Sequence, residues 1–283
     1  MIFIKTKKMK QILVASDFSN NAGNALLYAL SLAKTINMKV TVLNAIHPTE
    51  GINNSTYNAI FIEDYYARKR SALKEWTETF CNNDEYKDIQ IKTVCDVGFL
   101  RNVITKYIEY NDVSFLVMGM TGATGIKGII GSNASLAISK MRIPTLIVPA
   151  ESILHQTPVI TLAADYKTTK LSVRDIKALN QILKVSDPKK LEVLHISDKD
   201  TAARTIENGE KKLKDQLSSV DITFHYVEDD KPSSGIIDFI ETNKTDILCL
   251  VKHNHNIIYR LFSGSTVDEI LNKSVKAVLI LHA

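Results

Sequence analysis

Apolar and polar residues alternate along the chain with two recurring periods. Short runs rich in β-branched residues are typical of buried strands, and longer segments with apolar positions every three to four residues are typical of helices. Residues 11–16 form the first such strand, and residues 21–36 follow as an amphipathic helix. The other elements predicted in the first half are strands at 39–45, 89–95, 114–119 and 143–149, and helices near 57–82, from about 99, and from 132 to about 141.

The second half repeats this order. Its predicted strands lie at 158–164, 190–196, 220–227, 246–251 and 276–281, with a first helix near 169–185. Short matches set the register: VASD (14–17) with LAAD (162–165), TVLNA (41–45) with EVLHI (192–196), and IIGSN (129–133) with FSGST (262–266). The pattern predicts a tandem duplication of a unit of roughly 140 residues, with domains at 1–150 and 151–283.

Strands that alternate with helices predict a parallel sheet covered by helices on both faces. Right-handed crossovers between such strands make the sheet doubly wound. The predicted fold class is therefore α/β, with two tandem, doubly wound, parallel five-stranded sheets of Rossmann-like type.

Composition and charge exclude several classes of function. Hydrophobic residues make up 45% and charged residues 23% of the chain, as in soluble globular proteins. The net charge of +4 is small, and no basic stripe interleaved with aromatic residues suggests a nucleic-acid partner. No apolar run has the length of a membrane span, and no secretion signal is visible. Three widely spaced cysteines without a CxxC motif indicate reduced thiols and a cytoplasmic location.

Two residues that follow predicted strands indicate where a ligand would bind. Asp17 comes just after the first strand, and Gly119 ends the fourth. Ligands of doubly wound sheets bind beyond the carboxyl ends of the strands, where the strand order reverses. If the first and fourth strands are neighbours, Asp17 and Gly119 lie at the same crevice.

The stretch from Gly119 to Asn133 has a glycine at every third position up to Gly131. Ser132 is a candidate N-cap of the following helix, whose first N–H groups would attract an anion. Glycines let a phosphate approach the backbone closely, so the stretch favours a phosphate-binding loop. It lacks the Gly-Lys-Ser/Thr of a Walker A loop and does not follow the first strand, as a dinucleotide-binding loop would. A surface loop without a ligand remains an alternative.

These features together resemble the universal stress protein family, in its tandem two-domain form. The resemblance covers nearly the whole chain and rests on ILVASDFS (12–19), on the glycine loop that ends in Gly-Ser, and on IPTLIVP (143–149). It implies an adenine-nucleotide-hydrolase-like version of the predicted fold, with the two units related by a pseudo-twofold axis. It also implies a stress-response protein that binds ATP, alone or with Mg²⁺, in the first domain.

The resemblance assigns a role to each residue of the predicted site. Asp17 and the backbone near Ala45 would contact the adenine, and Gly119 would lie against the ribose. The phosphates would be held by the loop residues Gly122, Gly131, Ser132 and Asn133.

Two departures from the family pattern affect this site. The family loop reads G-x2-G-x9-G-S/T, whereas eight residues separate Gly122 from Gly131, so the loop is one residue short. Ala15 stands where the family has a proline. The sequence leaves open whether the shorter loop still accommodates a triphosphate.

The second half keeps Asp165 and the Gly-Ser-Thr at 264–266, but it has no glycine-rich loop. Lys252 and His255 are expected in the places of Gly119 and Gly122, which argues against a nucleotide there. His253 and His255 form an H-x-H without further ligands, so no metal site is predicted.

No sequence motif indicates catalysis. The chain has no GxSxG elbow and no HExxH, and we predict that it is not an enzyme. The apolar last strand of each half would invite pairing at a sheet edge. The resemblance implies that the two copies pair with each other within one chain. An unknown protein partner is expected, a nucleotide-free scaffold is the alternative function, and a further homodimer remains open.

Overall fold

The computed structural model describes residues 10–50, 59–120, 141–166, 171–186, 188–197, 203–252, 270 and 276–282. The elements of the first unit are β1 (Gln11–Ala15), α1 (Asn20–Ile36), β2 (Lys39–Ile46), α2 (Ala59–Cys81), β3 (Ile91–Val97), α3 (Leu100–Tyr110), β4 (Val113–Gly119) and β5 (Thr145–Val148).

The second unit repeats these elements. They are β6 (Ile160–Ala163), α4 (Val173–Ile182) with a 3-10 turn (Leu183–Val185), β7 (Lys190–Ser197), α5 (Ala203–Gln216), β8 (Asp221–Glu228), α6 (Pro232–Thr242), β9 (Ile247–Lys252) and β10 (Ala277–His282). The predicted order of strands and helices is confirmed in the described residues. The helix predicted from 132 to about 141 lies outside them, apart from its last residue.

All ten strands form one sheet in the order β3-β2-β1-β4-β5-β10-β9-β6-β7-β8. Neighbouring strands are parallel within each unit, whereas β5 and β10 pair in antiparallel fashion with Leu146 opposite Leu279. This antiparallel pair lies at the centre of the sheet and relates the two units by a pseudo-twofold axis. The predicted α/β fold class and the predicted pairing of the last strands are both present. The exact boundary at 150/151 stays a prediction.

The core forms two layers, one on each face of the sheet. Alternate residues of a strand point to opposite faces. Ile12 and Val14 therefore pack with α1, while Leu13 and Ala15 pack with residues of α3. The strands of such a sheet are buried on both faces, which explains why they read as continuous apolar runs.

Local hydrogen bonds set the ends of the helices. Ser19 Oγ accepts the N–H of Ala22 and caps α1, and Ser172 Oγ accepts the N–H of Asp175 and caps α4. Asn37 ends α1 in the left-handed region at φ 54°. Among the described helices, none combines the length and the apolar character that a membrane span needs.

Candidate functional site

The crevice predicted from the sequence lies between β1 and β4. These strands are hydrogen-bonded neighbours, and their chains leave in opposite directions, β2 on one side and β5 on the other. Asp17 is exposed just beyond the end of β1, and Gly119 ends β4 beside it. The structure therefore brings these two residues to the same crevice, at the point where the strand order reverses.

The turn from β1 into α1 is held by its own side chains. Ser16 Oγ accepts the N–H of Phe18 at 3.1 Å, and Asp17 Oδ1 accepts the N–H of Ser19 at 3.1 Å. Phe18 has a φ of 65°, which is unfavourable for a residue with a bulky side chain. Such strained residues cluster at functional sites. The turn fixes the direction in which the chain passes Asp17.

Asn44, on the neighbouring strand β2, stabilises this turn through a hydrogen bond. Its Nδ2 donates to the carbonyl of Ser16 at 2.8 Å, and its Oδ1 accepts from the Cys95 thiol at 3.6 Å. Ser16 N–H in turn donates to the carbonyl of Leu43 at 2.9 Å. Asn44 is buried, so without this hydrogen bond the Ser16 carbonyl would lose its partner in the core.

The backbone of Ala45 faces the crevice. Successive residues of a strand direct their backbone N–H and C=O groups to alternate sides. Leu43 directs its carbonyl to Ser16 on the β1 side, and Ile46 directs its carbonyl to Gly98 on the β3 side. Ala45 therefore directs its own groups to the β1 side, beyond the point where β1 has ended.

Gly119 packs closely against the start of α1. A Cβ at Gly119 would lie 2.8 Å from both the backbone carbon and the backbone oxygen of Asn21. Backbone atoms at that distance cannot move away cheaply. Gly119 thus lacks a side chain for a packing reason, independently of the ribose contact that the resemblance implies.

The other four predicted site residues lie outside the described part of the chain. These are Gly122, Gly131, Ser132 and Asn133. Their roles toward a phosphate stay predictions from the sequence. His253, His255 and the Gly-Ser-Thr at 264–266 also lie outside the described residues. Within the described residues, no group of three or more His, Cys, Asp and Glu side chains is placed to hold a metal ion.

A polar network holds the segment after β2 against α2, beside the crevice. Glu50 accepts the N–H of His47 at 2.9 Å, the Tyr65 hydroxyl at 2.9 Å and the Lys69 ammonium at 3.1 Å. Burial alone would raise the pKa of Glu50, but these three donors outweigh it and the pKa lies below its ordinary value. Lys69 Nζ also lies 5.7 Å from the centre of the Phe18 ring. The network therefore links the β2 side of the crevice to the strained turn.

The second unit has the same backbone arrangement with different side chains. Ala164 N–H donates to the carbonyl of Leu194 at 2.9 Å, and His195 Nδ1 lies 2.9 Å from the carbonyl oxygen of Ala164. Ala164 and His195 hold the places of Ser16 and Asn44. In both units, therefore, a side chain from the second strand forms a hydrogen bond with the turn after the first strand.

An aromatic ring fills the second unit at the corresponding turn. Tyr166, which follows Asp165, is buried and stacks on His195 with ring centres 4.3 Å apart and planes 13° apart. A Cβ at Gly209 would lie 2.3 Å from Tyr166 Cγ, so the ring rests directly on α5. The space beside the ends of β6 and β7 is therefore occupied by protein side chains.

The strand pairing shows that the expected match between Gly119 and Lys252 is wrong. Leu146 on β5 faces Leu279 on β10 at the pseudo-twofold axis, so these two residues are equivalent. Gly119 pairs with the β5 residue that lies two positions after Leu146. The β10 residue that lies two positions after Leu279 pairs with Val251 on β9. Val251, one residue earlier than expected, therefore holds the place of Gly119.

The comparison with family models identifies the chain. The model of the universal stress protein family matches residues 8–149 and again residues 171–282, which together make up most of the chain. The chain belongs to the universal stress protein family.

Solved structures show the same fold. A universal stress protein from Archaeoglobus fulgidus DSM 4304 has a TM-score of 0.72 at 17% identity, with 96% of this chain and 98% of that chain covered. A putative universal stress protein from Pseudomonas aeruginosa UCBPP-PA14 has a TM-score of 0.58 at 12% identity, with 97% and 93% covered. At these identities the likeness shows the fold alone.

A third solved structure is a universal stress protein in complex with cAMP. It matches with a TM-score of 0.35 at 18% identity and covers 45% of this chain and 98% of that chain. That likeness is too low to transfer residue roles. Among curated proteins, none matches this chain.

Sequence reasoning missed Asn44 and the Glu50 network. Asn44 is the one polar residue in the last five residues of β2, VLNAI (42–46), and this is the signal that marks it. The Glu50 network carries no such signal, since Glu50, Tyr65 and Lys69 are polar residues of a loop and a helix surface.

Proposed function

We propose that this chain is a cytoplasmic stress-response protein that binds an adenine nucleotide, with ATP as the first candidate, in the crevice of the first unit. Binding, not turnover, is the proposed activity, and ligand occupancy would bias contact with a protein partner. The second unit acts as a structural copy.

One observation supports this proposal above the others. Asp17 and the inward-facing backbone of Ala45 border the same crevice, at the ends of neighbouring strands. An exposed carboxylate accepts from the exocyclic amine of adenine, and a backbone N–H donates to a ring nitrogen. Gly119 closes the other side without a side chain. A flat base with an amine donor beside a ring-nitrogen acceptor fits this combination of groups.

The difference between the units supports a single site. In the second unit the Tyr166 ring is buried against His195, and Val251 takes the place of Gly119. Phe18 holds the place of Tyr166 in the first unit and is only partly buried. The carboxylates Asp17 and Asp165 therefore form a matched pair, of which only Asp17 is proposed to bind.

Calorimetry with the intact chain tests the proposal. ATP, ADP and AMP are titrated with and without Mg²⁺. The three ligands are compared because the shortened glycine loop would limit how many phosphates the site accommodates. We expect Asp17→Ala to weaken binding by about tenfold, a loss of about 1.4 kcal/mol. Asp165→Ala, the matched control, should leave the affinity unchanged. Absence of both heat and thermal shift with about 5 mM ATP would contradict the proposal.

A nucleotide-free scaffold is the second candidate, and the contact between Gly119 and Asn21 favours it. That contact explains the glycine without any ligand. The β5–β10 pairing also joins the two units without one. If purified protein carries no nucleotide and calorimetry shows no binding, the scaffold function is the one that remains.

A further inference from the structure

Besides the pairing of β5 with β10, the two units contact each other near the starts of α1 and α4. Ser19 and Ser172 cap these helices, so Asn24 and Lys177, each five residues after its cap, hold equivalent positions. Because β5 and β10 run in opposite directions, the start of each helix lies beside the amino ends of the other unit's strands. Arg174 shows this contact, since its guanidinium donates to the carbonyls of Arg142 at 3.0 Å and of Val113 at 3.3 Å.

The linker between the units (residues 149–159) lies in one of these two contact regions. Asn24 Nδ2 donates to the linker carbonyls of Pro149 at 2.8 Å and Ser152 at 3.2 Å. On the side of β9, Asp246 Oδ1 lies 2.6 Å from His155 Nδ1, and Asp246 Oδ2 accepts the N–H of Val159 at 2.8 Å. The linker therefore turns at its start, where Ser152 N–H donates to the carbonyl of Pro149, and then passes between α1 and the start of β9.

The pseudo-twofold axis places an open groove at the equivalent position of the first unit. Phe115 pairs with Ile12 as Ile247 pairs with Ile160. Ser114, one residue before Phe115, is thus the counterpart of Asp246. Ser114 and Lys177 both line a cavity of about 510 Å³ between α4 and the amino ends of β1 and β4. Among the described residues, no segment fills this open groove, which is the counterpart of the region that the linker fills.

The charge of the open groove differs from that of its counterpart. Lys10, Arg174 and Lys177 line it, together with the single carboxylate of Asp112. The guanidinium of Arg174 already donates hydrogen bonds to backbone carbonyls, whereas Lys10 and Lys177 form no ion pair within the described part of the chain. Lys177 replaces the neutral Asn24, and the neutral Ser114 replaces the anionic Asp246. The groove thus carries more positive charge than the region that binds the linker.

We propose that the open groove binds an acidic peptide segment of a partner protein, as the equivalent region of the second unit binds the linker. Lys177 and Gln181 supply N–H donors for the carbonyls of the peptide, and Lys10 and Lys177 pair with its acidic side chains. Arg174 fixes one wall of the groove, because its hydrogen bonds to the carbonyls of Arg142 and Val113 tie α4 to the first unit. The volume is within the range of about 300–1,000 Å³ that is usual for ligand sites.

Two synthetic peptides probe the groove in the full chain by fluorescence anisotropy. One has the linker's own sequence, PAESILHQTP (149–158), and the other has glutamate in place of its histidine. We expect the acidic peptide to bind with a Kd of about 100 μM, roughly fivefold more tightly than the linker sequence. Higher salt should weaken it, because charges at an open groove are screened.

Charge-reversed variants locate the bound peptide. Lys177→Glu should weaken the acidic peptide by about tenfold. Lys184→Glu makes the same change of charge on an exposed residue outside the groove and should leave the affinity unchanged. Equal effects of the two variants, or no binding at about 1 mM peptide, would overturn the proposal.

Two further experiments test whether something other than a partner peptide occupies the groove. Complete displacement of the peptide by about 10 mM inorganic phosphate at constant ionic strength would make the groove a small-anion site and overturn the proposal. Binding seen only with a chain that begins at Met9 would show that the first residues of the chain compete for the groove, which also overturns it. Binding to both chains supports it.

Discussion

Asn44 and His195 make the same hydrogen bond at equivalent positions of the two units. Asn44 Nδ2 donates to the Ser16 carbonyl at 2.8 Å, and His195 Nδ1 lies 2.9 Å from the Ala164 carbonyl oxygen. Because a carbonyl oxygen only accepts, the His195 ring must carry its proton on Nδ1. The turn after the first strand therefore depends on a buried N–H donor from the second strand, and either side chain supplies it.

Replacing Asn44 tests this dependence. Asn44→Leu leaves the Ser16 carbonyl without its donor, and we expect the free energy of unfolding to fall by about 1–3 kcal/mol in urea denaturation. Asn44→His should lose less, because histidine makes this bond in the second unit. Asn82→Ala, an exposed control, should change stability by less than about 0.5 kcal/mol. If Asn44→Leu costs no more than this control, the hydrogen bond does not hold the turn.

Gly119 offers a test of close packing. Gly119→Ala places a methyl group 2.8 Å from the Asn21 backbone, so α1 must shift, and we expect a loss of about 1–3 kcal/mol in the free energy of unfolding. In Gly235→Ala, the methyl group meets the terminal methyl of Ile196 at 3.0 Å and Asp229 Cβ at 3.2 Å.

Gly235 lies in the first turns of α6, where alanine favours the helix by up to about 1 kcal/mol and offsets part of this contact. We therefore expect a clearly smaller loss for Gly235→Ala in the same denaturation measurement. Equal losses would mean that the contact with Asn21 is looser than the structure indicates.

The fold could be predicted from the sequence because each buried strand is a short apolar run that ends at a polar or small residue. The positions of Asp17 and Gly119 at the crevice could be predicted for the same reason, since each follows or ends such a run. The match of Gly119 with Lys252 failed because an apolar run carries no mark of its register. Only the pairing of β5 with β10 shows that Val251 is the equivalent residue.

Contacts between side chains that are far apart in the sequence could not be predicted from it. The bond from Asn44 to Ser16 joins residues on different strands, and the ion pair of Glu50 with Lys69 joins a loop to a helix. Both depend on the positions of whole elements, which local periodicity does not determine. The open groove is a further case, because it exists only once the two units have paired.

The Glu50 network should appear in the pH dependence of stability. The pKa of Glu50 lies below its ordinary value of 4.5 in the folded chain, because its hydrogen-bond donors outweigh its burial. Its ionised form therefore stabilises the fold above pH 4.5, and this contribution is lost as the pH falls through the folded-state pKa. Glu50→Gln removes that contribution, so the variant should lose less stability than the original chain between pH 6 and pH 3.

The expected difference for Glu50→Gln is below about 1 kcal/mol, because Glu50 and Lys69 are both partly exposed and solvent screens the pair. Urea denaturation at several pH values measures it. Glu63→Gln, which removes a more exposed ion pair with Arg70, should leave the pH dependence unchanged. Parallel pH curves for the original chain and Glu50→Gln would contradict the role given to Glu50.

The three cysteines should differ in their reactivity toward a thiol reagent. Cys249 is fully buried on β9, and burial raises its pKa. Burial also raises the pKa of Cys81 to about 11, with a further contribution from the nearby Glu78 carboxylate. At pH 8 a thiol of pKa 11 has a thiolate fraction more than about a hundredfold below that of a free cysteine. Cys81 should therefore react slowly and Cys249 only on unfolding.

Cys95 tests the balance of charges beside the crevice. Burial raises its pKa, and the positive charges of Arg70 and Lys69 oppose this without cancelling it. Lys69→Met removes one of these charges, so the thiolate fraction should fall and labelling at pH 8 should slow further. Comparison in a Cys81→Ser, Cys249→Ser background isolates this thiol. Faster labelling in Lys69→Met would mean that Lys69 shields Cys95 sterically and that its charge does not control the reaction.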